Sequence, residues 1–286
     1  MEWERAKTYI LLFFVLLNLV LGGLLLMERR RYTLGPEREQ AIIEIMSRND
    51  ITMDTRLQRR FQPMRVMFVG GFNYDEQELI EIFFDSAMIN RSVTSRGYVF
   101  SYGYGELVID HGFISYDNPM GHGGQESWLP SLNRDVARSL SNAFINAHWS
   151  DFELDDIVKG LDWVRLSYRQ VYRGYMIHTN FIEVTVTVRG IERVDMQFGE
   201  VLGMSSERHP IAAPDAVLLT FVQQVRPRAR VNPMTIIRMD IVYLQEEGSP
   251  YPPEGGYLLE PFYRVFIYGH EGDPFLINAI TNEIIN

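Results

Sequence analysis

Residues 9–27 (YILLFFVLLNLVLGGLLLM) run for nineteen positions without a charge. At about 1.5 Å of rise per residue, this run predicts a helix spanning roughly the 30 Å hydrocarbon core of a bilayer. The remaining nine-tenths of the chain, by contrast, alternates and cycles like a water-soluble protein. Behind Gly35-Pro36, residues 36–48 carry Ala41, Ile42, Ile45 and Met46 at helical spacing. Residues 65–72 (RVMFVGGF) form a short apolar run that predicts a strand. Helical period returns over 75–88 through Leu79, Ile80, Ile82, Phe83 and Phe84. Residues 97–104 and 106–116 are aromatic and β-branched and predict a pair of antiparallel strands, followed by a turn-rich loop over 117–125.

A further helix is expected over 133–147, with Val136, Leu140, Ala143, Phe144 and Ala147 on one face. The long alternating runs of 163–201 then predict a meander. Pro214 opens a helix over 214–225, closed by Arg226-Pro227. Strands over 236–244 and 262–268 flank a Gly/Pro-rich connection, and 275–285 predicts a closing hairpin around Thr281-Asn282. The expected fold class is α+β. A short N-terminal segment (1–8) and a single transmembrane helix (9–27) precede two α+β subdomains with antiparallel sheets, 32–150 and 151–286, divided near Ser150.

The apolar run is too long for the core of a cleaved signal peptide, and Met27-Glu28-Arg29-Arg30-Arg31 offers no small-x-small cleavage site. A buried core helix this uniformly apolar needs a large protein around it. A retained membrane anchor is therefore the expectation. Basic residues flank both ends, Arg5 and Lys7 before the run and Arg29, Arg30 and Arg31 after it. Counted alone, they favour a cytoplasmic large domain, although long domains cross membranes despite flanking charge.

Composition narrows the partners. Removing the five basic and three acidic residues of positions 1–31 from the chain's 27 and 37 leaves 22 and 34, a net of −12. Such acidity argues against nucleic-acid binding, which needs a basic face. It also argues against flat docking on anionic lipid, except through the Arg29, Arg30, Arg31 collar. The absence of cysteine excludes a disulfide framework without identifying a compartment.

Motifs for catalysis are weak. Gly103-Tyr104-Gly105 has strand-like sequence on both sides, so a strand turn is favoured over a phosphate loop. The histidines His111, His122, His148, His178, His209 and His270 show no helical metal-binding spacing, and Asp110-His111 with His122, if the fold brings them together, reads as a surface pair. Asp151, Glu153, Asp155 and Asp156 form the densest acidic group, read as residues beside a helix start. Asn90-Arg91-Ser92 fits a short glycosylation pattern too common to carry weight. No active site, catalytic residue, cofactor site or metal site is expected. Within the apolar run, Asn18 is an amide near mid-membrane and Gly22 lies four residues later on the same face. A neighbouring helix would satisfy Asn18 and approach closely at Gly22; alternatively, Asn18 bonds its own helix backbone. Both readings stand.

Three regions resemble the YycI family of bacterial regulatory membrane proteins. They are the opening Met1-Glu2-Trp3-Glu4-Arg5-Ala6-Lys7-Thr8, the segment Ile109-Asp110-His111-Gly112-Phe113-Ile114-Ser115-Tyr116, and the ending Pro261-Phe262-Tyr263-Arg264-Val265 with residues 275–284 (FLINAITNEI). The last region is also similar to PepSY-like modules. The resemblance implies a non-enzymatic single-pass membrane protein, with a cytoplasmic N-terminus and a large extracytoplasmic domain. Its implied partners are a YycH-like protein and the sensor histidine kinase of a two-component system controlling cell-wall metabolism. No catalytic residues or cofactors are implied. The alternative expectation is a membrane-tethered PepSY-like domain that binds or restrains an envelope hydrolase or ligand.

Overall fold

A computed structural model describes residues 2–71, 74–84, 89–95, 97–110, 112–121, 129, 131–225, 233–245, 256–270 and 273–285. Its first element, α1 (Glu2–Arg31), is one unbroken helix. Helix α2 (Pro36–Arg48) starts on its proline, whose missing N–H is no loss at a helix start, and carries Glu37 and Glu39 in its first turn. Short strands β1 (Ile51–Met53) and β2 (Met67–Gly70) follow. Helix α3 (Glu76–Phe83) is capped by Asp75, whose carboxylate accepts from the backbone N–H of Gln77 and Glu78.

Four strands then run in sequence: β3 (Asn90–Thr94), β4 (Gly97–Tyr102), β5 (Gly105–Asp110) and β6 (Phe113–Asp117). The stretch expected as one strand over 106–116 is thus a hairpin, because Gly112 at φ 98° turns the chain back. Gly103, at φ 58°, makes the β4–β5 turn. Helix α4 (Arg134–His148) is capped by Asn133, which accepts from Asp135 and Val136 N–H at 3.0 and 2.9 Å. The expected meander begins earlier than its sequence signal, with β7 (Phe152–Lys159), and continues through β8 (Trp163–Tyr172), β9 (Tyr175–Thr187), β10 (Gly190–Gln197) and β11 (Val201–Met204). Helix α5 (Pro214–Gln224) and strands β12 (Met234–Leu244), β13 (Gly256–Ile267), β14 (Phe275–Asn278) and β15 (Ile284–Ile285) complete the chain.

These elements gather into two compact units, one of residues 1–64, 208–240 and 263–286, the other of residues 65–207 and 241–262. The boundary expected near Ser150 falls inside the second unit. Helix α4 ends just before it and packs on β7 to β10 just after it, so residues on both sides share one core. Contiguity in sequence is therefore not what divides this molecule; β12 and β13 each run from one unit into the other. The sheet is also less uniform than expected. Most pairings are antiparallel, but β1 pairs with β12 and β12 with β9 in parallel.

In the first unit, α2 and α5 pack together, and Ile42, Met46, Val217, Leu218 and Phe221 are buried. Each such side chain contributes about 1.5–3 kcal/mol. The exit of α1 is fixed by an antiparallel bridge, Thr33 opposite Arg60, flanked by Leu34 N–H to Arg59 C=O (2.7 Å) and Phe61 N–H to Tyr32 C=O (3.1 Å). Below it the Tyr32 and Phe61 rings meet edge to face, 6.2 Å apart.

In the second unit the order β3-β4-β5-β6-β10-β9-β8-β7 forms a continuous antiparallel sheet. One face buries Phe100, Leu107, Ile114, Leu166, Val184 and Val194 against α3 and α4. Ala137, Ser141, Phe144 and Ile145, at helical period, are the α4 side of that contact.

Candidate functional site

Helix α1 is long and apolar enough to cross a membrane, over Lys7–Leu24, and none of that window is buried in the protein. Leu11, Phe13, Leu16 and Leu19 are exposed, as a surface made for lipid would be. Trp3 lies near its start, with the Lys7 ammonium 5.4 Å from its ring, and Tyr32 follows its end. Amphipathic aromatics at both ends of an apolar span suit the two headgroup levels.

Both residues singled out in the span lie on one stripe of α1. The Asn18 amide donates to the Phe14 carbonyl at 2.8 Å, so the helix satisfies part of its own polar group. That bond engages one of the two N–H groups an amide carries. A Cβ at Gly22 would meet nothing within 4 Å, so its surface is open to close approach by another backbone.

A second surface, which no sequence motif marks, is the sheet face opposite α3 and α4. Register places Ser115 beside Asp195 and Asp195 beside Glu183, with Asp117 beside Arg193 and Glu106. Ser115 donates to Asp195 at 2.7 Å, and Arg193 grips the same carboxylate at 2.6 and 3.0 Å. The Asp195 bond, aided by the nearby charges of Asp117 and Glu183, holds the Arg193 guanidinium above its ordinary pKa. Phe113 and Phe181 extend the face with rings 6.4 Å apart. Alternation of polar with apolar residues in β6 and β8–β10 was the available signal, since one face of such a strand is solvated.

Other sequence candidates fall elsewhere. His111 and His122 lie outside the described residues, as do Arg226-Pro227 and most of the connection expected between the last long strands. Of the acidic group, Glu153, Asp155 and Asp156 sit on β7 and Asp151 in the turn before it, none at a helix start. Asp151 accepts from Gln170 at 2.6 Å, and Asp155, in the irregular part of β7, lies 3.7 Å from Arg169. His148 packs at the end of α4 against Phe144 and Trp149, and His270 stacks on Phe275. Asn90, Arg91 and Ser92 lie on β3. Among the described residues, no group of three or more acidic, His or Cys side chains is placed to hold a metal ion.

Buried phenols carry the largest pKa shifts. Burial pushes Tyr74 and Tyr168 up to about 12, and raises Tyr257 and Tyr243 as well. Tyr74 also links two loops, donating to Gly112 C=O and accepting from Phe198 N–H.

No protein-family model and no curated protein sequence matches the chain. Among solved structures it is similar to an uncharacterized protein from Eubacterium rectale. The TM-score is 0.55 at 10% identity, over 82% of this chain and 89% of that one. The fold is shared. The YpeB C-terminal domain of Bacillus megaterium aligns at a TM-score of 0.42 and 8% identity, over 76% of this chain and 97% of that one. A score that low supports no structural argument.

Proposed function

We propose that this chain is a non-enzymatic, single-pass membrane accessory protein that tunes a sensor histidine kinase of cell-wall metabolism in complex with a YycH-like partner. The observation that carries the reading is the unburied membrane-length helix α1, with Asn18 and Gly22 on one stripe of an otherwise apolar surface. The likeness of three sequence regions to the YycI family supplies the identity of the partners. The N-terminus is cytoplasmic and the large domain extracytoplasmic. A membrane helix can shift a kinase only if it packs better against one signalling state than the other. An amide and a glycine four residues apart are a surface able to make that distinction.

The experiment is co-purification with the kinase from membranes, together with kinase output, for Asn18→Leu combined with Gly22→Leu. Loss of both is expected; unchanged values would move the contact off this stripe. Protease added to intact cells is expected to cleave the large domain, and protection of that domain would overturn the orientation.

The open sheet face favours a second reading, a tethered PepSY-like domain that binds or restrains an envelope hydrolase or ligand. Ser115, Glu183 and Asp195 lie side by side there on three adjacent antiparallel strands. Capture of such a hydrolase by the membrane-anchored protein, abolished by Asp195→Ala and untouched by the α1 changes, would select it.

A further inference from the structure

The bridge that ties α1 to the folded body also sets where the body's charges lie. The bonds flanking Thr33 and Arg60 run from Leu34 to Arg59 and from Phe61 to Tyr32, which makes Thr33 and Arg60 a non-hydrogen-bonded pair. In such a pair the Cα atoms are about 4.5 Å apart and both side chains leave on the same side. Leu34 and Phe61, on the other side, are buried, so Thr33 and Arg60 point outward, and both are exposed. Arg31, the last residue of α1, is also exposed and only two residues from Thr33. Two trans peptide steps and the pair spacing bring the Arg60 Cα within about 12 Å of the Arg31 Cα. Arg59, the neighbour of Arg60, is engaged by Glu39 at 2.9 Å, and Arg60 is the exposed arginine that the bridge sets directly opposite Thr33 at the exit of α1.

We propose that this junction is a binding surface for anionic phospholipid headgroups, with Arg31 contributed by the helix and Arg60 by the folded body. The proposal rests on α1 being inserted in a bilayer and goes beyond the kinase reading. Three observations favour lipid as the occupant. The surface begins at the last turn of a membrane-length helix, where the headgroups must lie. Tyr32, a half-buried aromatic at the same level, has the amphipathic character of an interfacial anchor. The chain beyond residue 31 carries a net −12, so the body as a whole is repelled by an anionic surface, while residues 28–34 set three arginines against one glutamate. Each arginine at the surface strengthens attraction to anionic lipid about five-fold. Because Arg60 is held by backbone bonds to the helix exit and not by a loose tether, its attachment would fix the tilt of the first unit on its anchor.

The full chain lacks cysteine, so Gln62→Cys gives a single labelling site on an exposed residue beside Arg60. A nitroxide there would be read for membrane depth in nanodiscs of phosphatidylcholine alone and of phosphatidylcholine with phosphatidylglycerol. The expected result is a deeper label in the anionic discs, reversed by high salt, lost in Arg60→Glu and retained in Arg60→Lys. Arg48→Glu, at the far end of α2, is expected to leave the depth unchanged. Equal depth in the two lipids, or an unaffected Arg60→Glu, would overturn the proposal. Greater competition by inorganic phosphate than by chloride at equal ionic strength would reassign the site to a free anion and also overturn it. Failure of the protein to co-elute with discs of any composition would instead strike at the anchor itself.

Discussion

Arg38 on α2 grips Asp215 on α5 with two charge-assisted bonds, Nε to Oδ2 and Nη2 to Oδ1, each 2.8 Å long. The residues are 177 apart in the chain, so this pair joins the segment after α1 to the second half of the protein. Asp215 is nearly buried and stands in the first turn of α5, whereas Arg38 is half exposed. Geometry makes it a strong pair, and solvent on the arginine side weakens it.

Removing the carboxylate charge strands a guanidinium that can still reach water, while removing the arginine strands a buried carboxylate. Arg38→Ala is therefore expected to lower stability by about 1–2 kcal/mol and Asp215→Asn by about 1 kcal/mol. A double-mutant cycle in urea, read by circular dichroism on detergent-solubilised protein, checks the pair. Coupling near zero would class it with inert surface pairs.

Asn180 is fully buried at the centre of a polar network in the second unit. Its amide donates to Gln170 and to the Gly199 carbonyl (3.0 Å), and its oxygen accepts from the Tyr257 hydroxyl (3.3 Å). Asn180→Ala leaves these partners unmet in a dry site and is expected to cost about 2–4 kcal/mol, more than Asn118→Ala at a half-exposed turn. Thermal melts of the two variants supply the comparison.

Gly199 is a steric requirement. A Cβ there would lie 2.3 Å from the Gly70 carbonyl oxygen and 2.9 Å from Val69 Cγ1. Backbone cannot yield as a flexible side chain can, so Gly199→Ala is expected to lower the melting temperature by several degrees. A Gly22→Ala control, with open space around it, should leave the melting temperature unchanged.

The buried tyrosines predict an alkaline limit to stability. In the folded protein Tyr74 and Tyr168 ionise only near pH 12, against 10 when unfolded, because burial disfavours the phenolate. Their stabilising contribution is complete below pH 10 and is lost as pH rises from 10 towards 12. Absorbance at the tyrosinate band is expected to show a late phase towards pH 12 that coincides with unfolding. A single phase near pH 10 in the folded protein would contradict the burial of these rings.

Local physics made much of this chain legible. Helix α2 begins and ends where Gly35-Pro36 and its apolar spacing place it, and α5 opens on Pro214 as expected. The closing hairpin turns at Asn282, in the left-handed region that asparagine tolerates. The acidic stretch of β7 departs from the expected helix start because aspartates suit helix starts as well as solvated strand positions; only pairing with β8 decides between them. Asn18 and Gly22 stand out in the sequence because an apolar run makes any polar or small residue conspicuous.

By itself, then, the sequence determined the membrane-length helix, the α+β class and most of the individual elements, since each depends on periodicity and caps within about fifteen residues. Tertiary structure alone decided which elements share a core, why no division falls at Ser150, and which charges stand together. The union of residues 1–64 with 208–240 and 263–286, the Arg38–Asp215 pair and the placement of Arg60 beside the exit of α1 all depend on pairings between distant segments. Such pairings are selected by the burial of whole faces against one another, a quantity that exists only once the chain has folded.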